Sequence, residues 1–288
     1  MLQQLSEERK VILGGDTRAD SPGHCAKFGS YTMMDLNTKT IVDLQLVQSN
    51  EVGGSSHMEK EGLKRSLALL DARGVTIYSI VTDRHPQIQK FLRDNITQFY
   101  DVWHMEKGIT KQLHKISKTK DCQKVKTWMR AIRNHIYWTA ASSITGPERV
   151  AKWTSLLNHV QDIHTHDDPL FPKCLHPIRS TTDKSRWLSG ATPAFYKLEK
   201  ALTKKAVLRD IAKLSPHHQT SSLEAFHAVI LRFAPNRNAV QVFVDPASYR
   251  AEILKINIPP ELSSEYEHPD KEEVIASYVS RFNQGRVV

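Results

Sequence analysis

The sequence predicts an α/β protein: a mixed sheet in its amino-terminal third, a long all-helical insertion, and a closing helix that returns to the sheet. Three observations predict it. Short apolar runs alternate with helical spacings over residues 10–104. After His104 the texture changes, and residues 105–214 carry helical spacing almost throughout. One more helical pattern, at 221–233, then follows the break at Ser215-Pro216.

Val11 to Gly15 is a continuous apolar run, the pattern of a buried strand. Asp20-Ser21-Pro22-Gly23 is turn material. Phe28 to Asp35 and Thr40 to Val47 read as two arms of a hairpin around Asn37-Thr38, with Val42, Leu44 and Leu46 on one face. Ser55 or Ser56 suits a helix cap, and Leu63, Leu67 and Leu70 follow at helical spacing until Gly74. Val75 to Asp83 is the next strand. Pro86 suits the first turn of a short helix through Leu92. Ile96 to Val102 reads as a last strand ahead of Trp103-His104. A meander followed by crossovers means a mixed sheet with helices packed on it.

In the helical insertion Met105, Ile109, Leu113 and Ile116 form one stripe, and Lys107, Lys111, Lys115 and Lys118 form the opposite face. Between Lys107 and Arg133 there are nine Lys or Arg residues and one acid, Asp121. Such a strip can track a phosphate backbone, and a solvated helix face is its alternative. Trp128, Trp138 and Trp153 are expected in the core rather than as base-stacking platforms. The stretch 155–180 is less regular and rich in His and Pro. Residues 194–214 read as helix, 215–255 as the closing helix and its return to the core, and 256–288 as a tail.

With 288 residues, 40% hydrophobic and 25% charged, the chain can bury a core. A formal net charge of +9 favours polyanionic partners, nucleic acid first among them. Three scattered cysteines (Cys25, Cys122 and Cys174) argue against a disulfide framework and for a reducing compartment. The first residues lack the apolar core of a signal peptide, and no run reaches the roughly 18 apolar residues of a membrane span.

Three acids stand in informative settings. Asp16 ends the first strand, Asp83 ends the fourth, and Glu224 sits in the helix Ser222-Leu223-Glu224-Ala225-Phe226-His227. Two strand-end carboxylates side by side, with a third on a helix, could surround a pair of divalent cations, the apparatus for in-line displacement at a phosphodiester. A second cluster joins His159, His164, Cys174 and His176. One thiolate and three imidazoles can fill a tetrahedral zinc shell, which would be structural because it leaves no open position. His166 is a spare, and chance clustering among 14 histidines is the alternative.

The order Asp16, Asp83, long helical insertion, Glu224 resembles the ribonuclease H-like catalytic domain of eukaryotic cut-and-paste DDE transposases. Asp101-Val102-Trp103-His104 adds to it: an Asp or Cys followed at the third position by His is similar to an accessory motif of the hAT, Mutator-like and Kolobok types. The phrases Gly15-Asp16-Thr17-Arg18-Ala19-Asp20-Ser21-Pro22-Gly23-His24, Thr82-Asp83-Arg84-His85 and Thr220-Ser221-Ser222-Leu223-Glu224-Ala225-Phe226-His227 look like transposase-derived proteins of fishes and invertebrates. The resemblance covers roughly residues 10–255.

It implies a sheet of ribonuclease H type and Mg²⁺ or Mn²⁺ held by Asp16, Asp83 and Glu224. Asp101 and His104 would be accessory catalytic residues, with a structural strand-end pair as the other reading. It also implies DNA as partner, a homo-oligomer and a nuclear location. In such chains a zinc-finger-type domain, often a THAP domain, can precede the core. This sequence starts almost at its first strand and holds no cysteine pairs to build such a domain, so site-specific recognition of element ends is not expected of it. A domesticated, non-catalytic DNA-binding or protein-interaction module is the competing expectation.

Overall fold

The computed structural model describes residues 2–7, 10–21, 26–93, 96–176, 184–216 and 220–233. The expected return to the core after 233 and the tail 256–288 lie outside the described residues. The chain divides into two compact units, one holding everything through Asp101 together with the closing helix, the other beginning at Val102.

The first unit is built on five strands: β1 (Val11–Ala19), β2 (Phe28–Asp35), β3 (Thr40–Gln48), β4 (Ile77–Thr82) and β5 (Thr97–Tyr100). Their order in the sheet is β3-β2-β1-β4-β5. β2 is antiparallel to both β1 and β3, whereas β4 is parallel to β1 and to β5. The hairpin turns at Asn37-Thr38, where Asp35 accepts from both backbone amides at 3.2 and 3.1 Å. This is the carboxylate-on-turn geometry that favours Asp there. This mixed five-stranded sheet is compatible with a ribonuclease H-like fold.

Period-two alternation gives the sheet two apolar faces, and helices cover both. On one face lie α2 (Met58–Ala72), entered through a single 3-10 turn at Ser55–His57, and α3 (Pro86–Leu92). Leu63 and Leu70 of α2 and Ile88 and Leu92 of α3 bury against Leu13, Tyr31, Met33, Val42 and Ile80, and Leu5 of α1 (Leu2–Glu7) joins them. On the other face α9 (Ser221–Phe233) brings Leu223, Phe226 and Ile230 onto Met34, Leu36, Ile41, Leu44 and Val81. Thr220 fixes where α9 begins. Its hydroxyl donates to the buried Asp101 carboxylate at 2.8 Å, and the Asp101 amide bonds to Thr82 at the end of β4.

The second unit is helical: α4 (Val102–Ser117), α5 (Val125–Ser142), α6 (Gly146–His159), α7 (Pro193–Leu202) and α8 (Lys205–Ile211). Caps explain two of the starts. Thr145 accepts from the Glu148 amide while Glu148 reaches back to the Ile144 amide, a close relative of the capping box. Thr192 caps α7 ahead of Pro193. Trp128, Trp138 and Trp153 are all buried, and the indoles of Trp128 and Trp153 donate to the carbonyls of Arg186 and Leu202. Buried His135 is held neutral, its pKa pushed down to about 4 by burial.

Several boundaries differ from the sequence reading. β1 runs past Asp16 to Ala19 because β2 pairs with it throughout, so Asp16 stands inside the strand, and β4 spans Ile77–Thr82, with Asp83 just beyond it. The last strand ends at Tyr100, and Trp103 and His104 belong to the first turn of α4, because Val102 begins the buried stripe Val102, Met105, Ile109 and Leu113. The helix expected over 194–214 is two, broken where Thr203 closes α7 and Lys204 takes extended backbone.

Tyr31 is the tightest fit of helix to sheet. A Cβ added at Gly62 of α2 would stand 2.3 Å from the Tyr31 Cβ, and one added at Gly15 would meet the Tyr31 hydroxyl at 2.0 Å. The Tyr31 Cβ is fixed by the strand and cannot swing away. Gly62→Ala is therefore expected to destabilise the fold by about 1–3 kcal/mol, the usual cost of overpacking, read as a lower urea midpoint at unchanged slope. An unchanged midpoint would mean that α2 can lift off the sheet freely.

Candidate functional site

Strand order reverses between β1 and β4: the chain runs outward through β2 and β3 on one side and through β5 on the other. Open α/β sheets bind ligands outside the carboxyl ends of the strands at such a switch point. Gly14 pairs with Val81 in the parallel ladder. That is the last pair of the ladder: two residues on, Asp16 lies inside β1, paired with Thr32 of β2, and Asp83 lies just past the end of β4. Both are half-buried. Asp16 accepts from the Thr17 amide at 2.8 Å and Asp83 from the His85 amide at 2.9 Å, the latter closing a turn just ahead of α3.

The structure adds an acid that the sequence reading missed. β3 runs parallel to β1 and β4, so a helix following β3 must begin beside their carboxyl ends. That puts Glu59, in the first turn of α2, beside Asp16 and Asp83. The Glu59 side chain is 18% exposed, and its carboxylate lies 3.8 Å from the His85 ring. Burial, and then the charges of Asp83 and Asp16, push the Glu59 carboxyl up to about 8. The buried Tyr31 phenol is raised as well, by burial first and then by Glu59, Asp16 and Asp83. No spacing rule marks Glu59. Only the rule that crossover helices begin at strand carboxyl ends could have found it.

Glu224 lies half-buried in the first turn of α9. One turn on, and so on the same flank of the helix, buried His227 sits with Nε2 3.0 Å from the Thr32 hydroxyl and Nδ1 3.6 Å from the Asp16 carboxylate. Burial, with the Arg18 charge second, pushes His227 down to about 4, so the ring is neutral at physiological pH and no ion pair forms. The ring is hydrogen-bonded to Thr32 and only approaches Asp16, since 3.6 Å is too long for a hydrogen bond.

Among the described residues these acids do not bring their oxygens into one converging group. Like charges on separate elements repel. Their chemistry nonetheless fits a divalent cation: hard oxygen donors, several charges in one region, and a carboxyl that can ionise at neutral pH only against its neighbours' charge. Asp101 is turned to a different task, its carboxylate accepting from Thr220 in the core. His104 belongs to α4, with its ring edge-on to Trp103 at 4.8 Å.

In the second unit, Lys107, Lys111, Lys115 and Lys118 are exposed along α4 and line an open groove of about 590 Å³ with Trp103, His114 and Arg133. Lys107 lies over the Trp103 ring, 2.9 Å from its centroid. Buried Glu106 holds Arg133 at 2.7 Å. Lys124 does not belong to the strip, since its ammonium donates to the Trp187 carbonyl.

A second set of side chains in this unit does converge. The ligand atoms of His159, His164, Cys174 and His176 all lie within 4.8 Å of one another. His159 is the last residue of α6, and Asp162 turns the chain in the left-handed region at φ 66°. A two-stranded pairing, with Thr165 opposite Lys173 and the Cys174 amide on the His164 carbonyl, then faces Cys174 toward His164. Burial pushes the Cys174 thiol up to about 12 and His159 well below its usual value.

No family model matches the chain, and no curated protein matches it. The solved structures similar to it include the Drosophila P element transposase strand transfer complex, at 12% identity and a TM-score of 0.31, over 98% of this chain and 82% of that one. So shallow a likeness transfers neither residues nor geometry.

Glu59 yields a pH test. Its folded-state pKa lies above the unfolded value of about 4.3, so between roughly pH 4.5 and 8 the folded chain binds the extra proton and stability falls as pH rises. With chelator present, Glu59→Gln is expected to melt above the wild type at pH 8 and level with it near pH 4. Parallel melting curves across that range would show that neither burial nor the neighbouring acids raise the Glu59 carboxyl.

Proposed function

We propose that the first unit is a DDE transposase-like catalytic domain of ribonuclease H type, cutting and joining DNA strands by in-line phosphoryl transfer. The observation carrying this reading is the gathering of Asp16, Asp83 and Glu59, with the charges of the first two acting on the third, where the parallel β1–β4 ladder ends and strand order reverses. Asp16 and Asp83 would hold Mg²⁺ or Mn²⁺ jointly, with Glu224 completing the site from α9. When bound, the cations activate a water or a DNA 3′-hydroxyl and stabilise the leaving oxygen.

The protein's own groups do the remainder. Glu59 adds a carboxylate that can give up its proton once positive charge is nearby. His227, hydrogen-bonded to Thr32, stands beside the Asp16 carboxylate on the α9 side. The bond from the His85 amide restricts the Asp83 rotamer. Asp101 acts as a positioning residue, joining the end of β5 to the start of α9 and hence setting where Glu224 stands. The groove along α4 would take the phosphate backbone, with Lys107, Lys111, Lys115 and Lys118 as its cations. The same reading makes DNA the partner, with self-association and a nuclear location. The groove by itself also suits a second reading, a DNA-binding module without catalysis.

Two experiments test these assignments. With Mn²⁺ the chain is expected to nick supercoiled DNA. Asp83→Asn or Asp16→Asn should lower that rate by roughly a thousandfold, because several kcal/mol of transition-state stabilisation go with the metal charge, while DNA affinity changes little. Equal nicking by either variant sinks the catalytic assignment. Tight binding without nicking by the wild type would select the binding module. Lys111→Ala with Lys115→Ala should reduce the slope of log affinity against log salt by about two contacts' worth. An unchanged slope would make the strip a solvated face.

A further inference from the structure

The histidine and cysteine cluster in the second unit goes beyond strand cleavage and does not depend on it. We propose that His159, His164, Cys174 and His176 bind one zinc ion in a closed tetrahedral shell that locks the segment 164–176 to the end of α6.

Convergence is the first argument. Four ligand atoms lie within 4.8 Å of one another, and the Cys174 sulfur is 3.7 Å from the His159 Nδ1. Zinc bonds of roughly 2.0–2.3 Å in tetrahedral geometry require ligand separations of about 3.4–3.6 Å. Small rotations suffice to close the set. The four come from three pieces of local structure: the last turn of α6, and the two arms paired through Thr165 and Lys173.

The second argument is the set of groups behind the ligands. His164 Nε2 lies 3.1 Å from the Asp162 carboxylate, which can only accept, so its proton stays on Nε2. That leaves Nδ1, which is buried with no hydrogen-bond partner among the described residues, as the ligand atom. A carboxylate behind a ligating imidazole is the usual arrangement at zinc. On the other side, the Asn158 side-chain amide donates to His166 Nδ1 at 3.3 Å, which places the His166 proton on Nε2, 3.4 Å from the Cys174 sulfur. His166 is thus a donor to the sulfur and not a fifth ligand. An N–H aimed at sulfur stabilises a thiolate more than a thiol.

Charge balance follows. On binding, Cys174 releases its thiol proton to solvent and the imidazoles enter neutral, as metal coordination requires. Burial already keeps His159 neutral. Four protein ligands leave no position for water, so the site is structural. It would fasten a segment with little regular structure to Trp128 and Trp187, whose rings stand 6.0 and 5.8 Å from the His159 ring.

The test is metal analysis of the full chain with cobalt as a spectroscopic substitute. The purified protein is expected to carry about one zinc per chain. Replacing it with Co²⁺ should give intense tetrahedral d–d bands together with a sulfur-to-cobalt charge-transfer band. Cys174→Ser should abolish the charge-transfer band, and His176→Ala should weaken zinc retention by at least tenfold in a chelator competition. His166→Gln should keep the zinc and shift only the charge-transfer band. A folded wild type that holds neither zinc nor cobalt overturns the proposal, as does a charge-transfer band that survives in Cys174→Ser. The wild-type spectrum decides the matter even where a ligand variant fails to fold, and none of these readouts depends on DNA cleavage.

Discussion

The parallel pairing of β1 with β4 is the constraint on which the candidate site rests. A parallel pair cannot be joined by a tight turn, so the chain must leave the sheet and cross back over it. Both crossovers, α2 and α3, therefore start at the carboxyl edge, and they bring Glu59 and His85 to the end of the ladder, beside Asp16 and Asp83. A slip of one residue between the strands would turn one acid to the opposite face. The apolar contacts of Val81 with α9 and of Leu13 and Ile80 with α2 and α3 hold the register against that slip.

Charge then divides the labour among the helices. The face under α2 and α3 is sealed by apolar side chains around Tyr31, whose phenol lies beside the acids and stays un-ionised. The face under α9 meets Asp16 through a neutral imidazole, so burial there adds no further charge. Negative charge gathers at the sheet edge, and the exposed lysines of α4 supply positive charge in the other unit.

Much of this was legible from one sequence. Continuous apolar runs marked β1 and β4, as buried parallel strands do, although β1 continues past its run to Ala19. The hairpin at Asn37-Thr38 and the closing helix at 221–233 were equally plain. Glu59 was hidden because its position follows from topology, and an acid in the first turn of a helix is ordinary. The Tyr100 strand end was misplaced because Val102 suits strand and helix alike, and only the stripe through Leu113 decides between them. The four zinc-ligand candidates could be picked out by residue type. The supporting roles of Asp162, Asn158 and His166 could not, since they depend on a left-handed residue and a short pairing that no periodicity announces.

The bond from Thr220 to Asp101 spans 119 residues, and that from His227 to Thr32 spans 195. Synthesis at about 5–20 residues per second puts roughly 6–24 seconds between the emergence of β5 and that of α9. Throughout that interval Met34, Leu36, Ile41, Leu44 and Val81 have no α9 to cover them, although their strands and the opposite face can already assemble. The nascent chain thus carries a bare apolar sheet face for much longer than such sheets take to form. The surroundings of Asp16 are likewise incomplete until α9 brings His227.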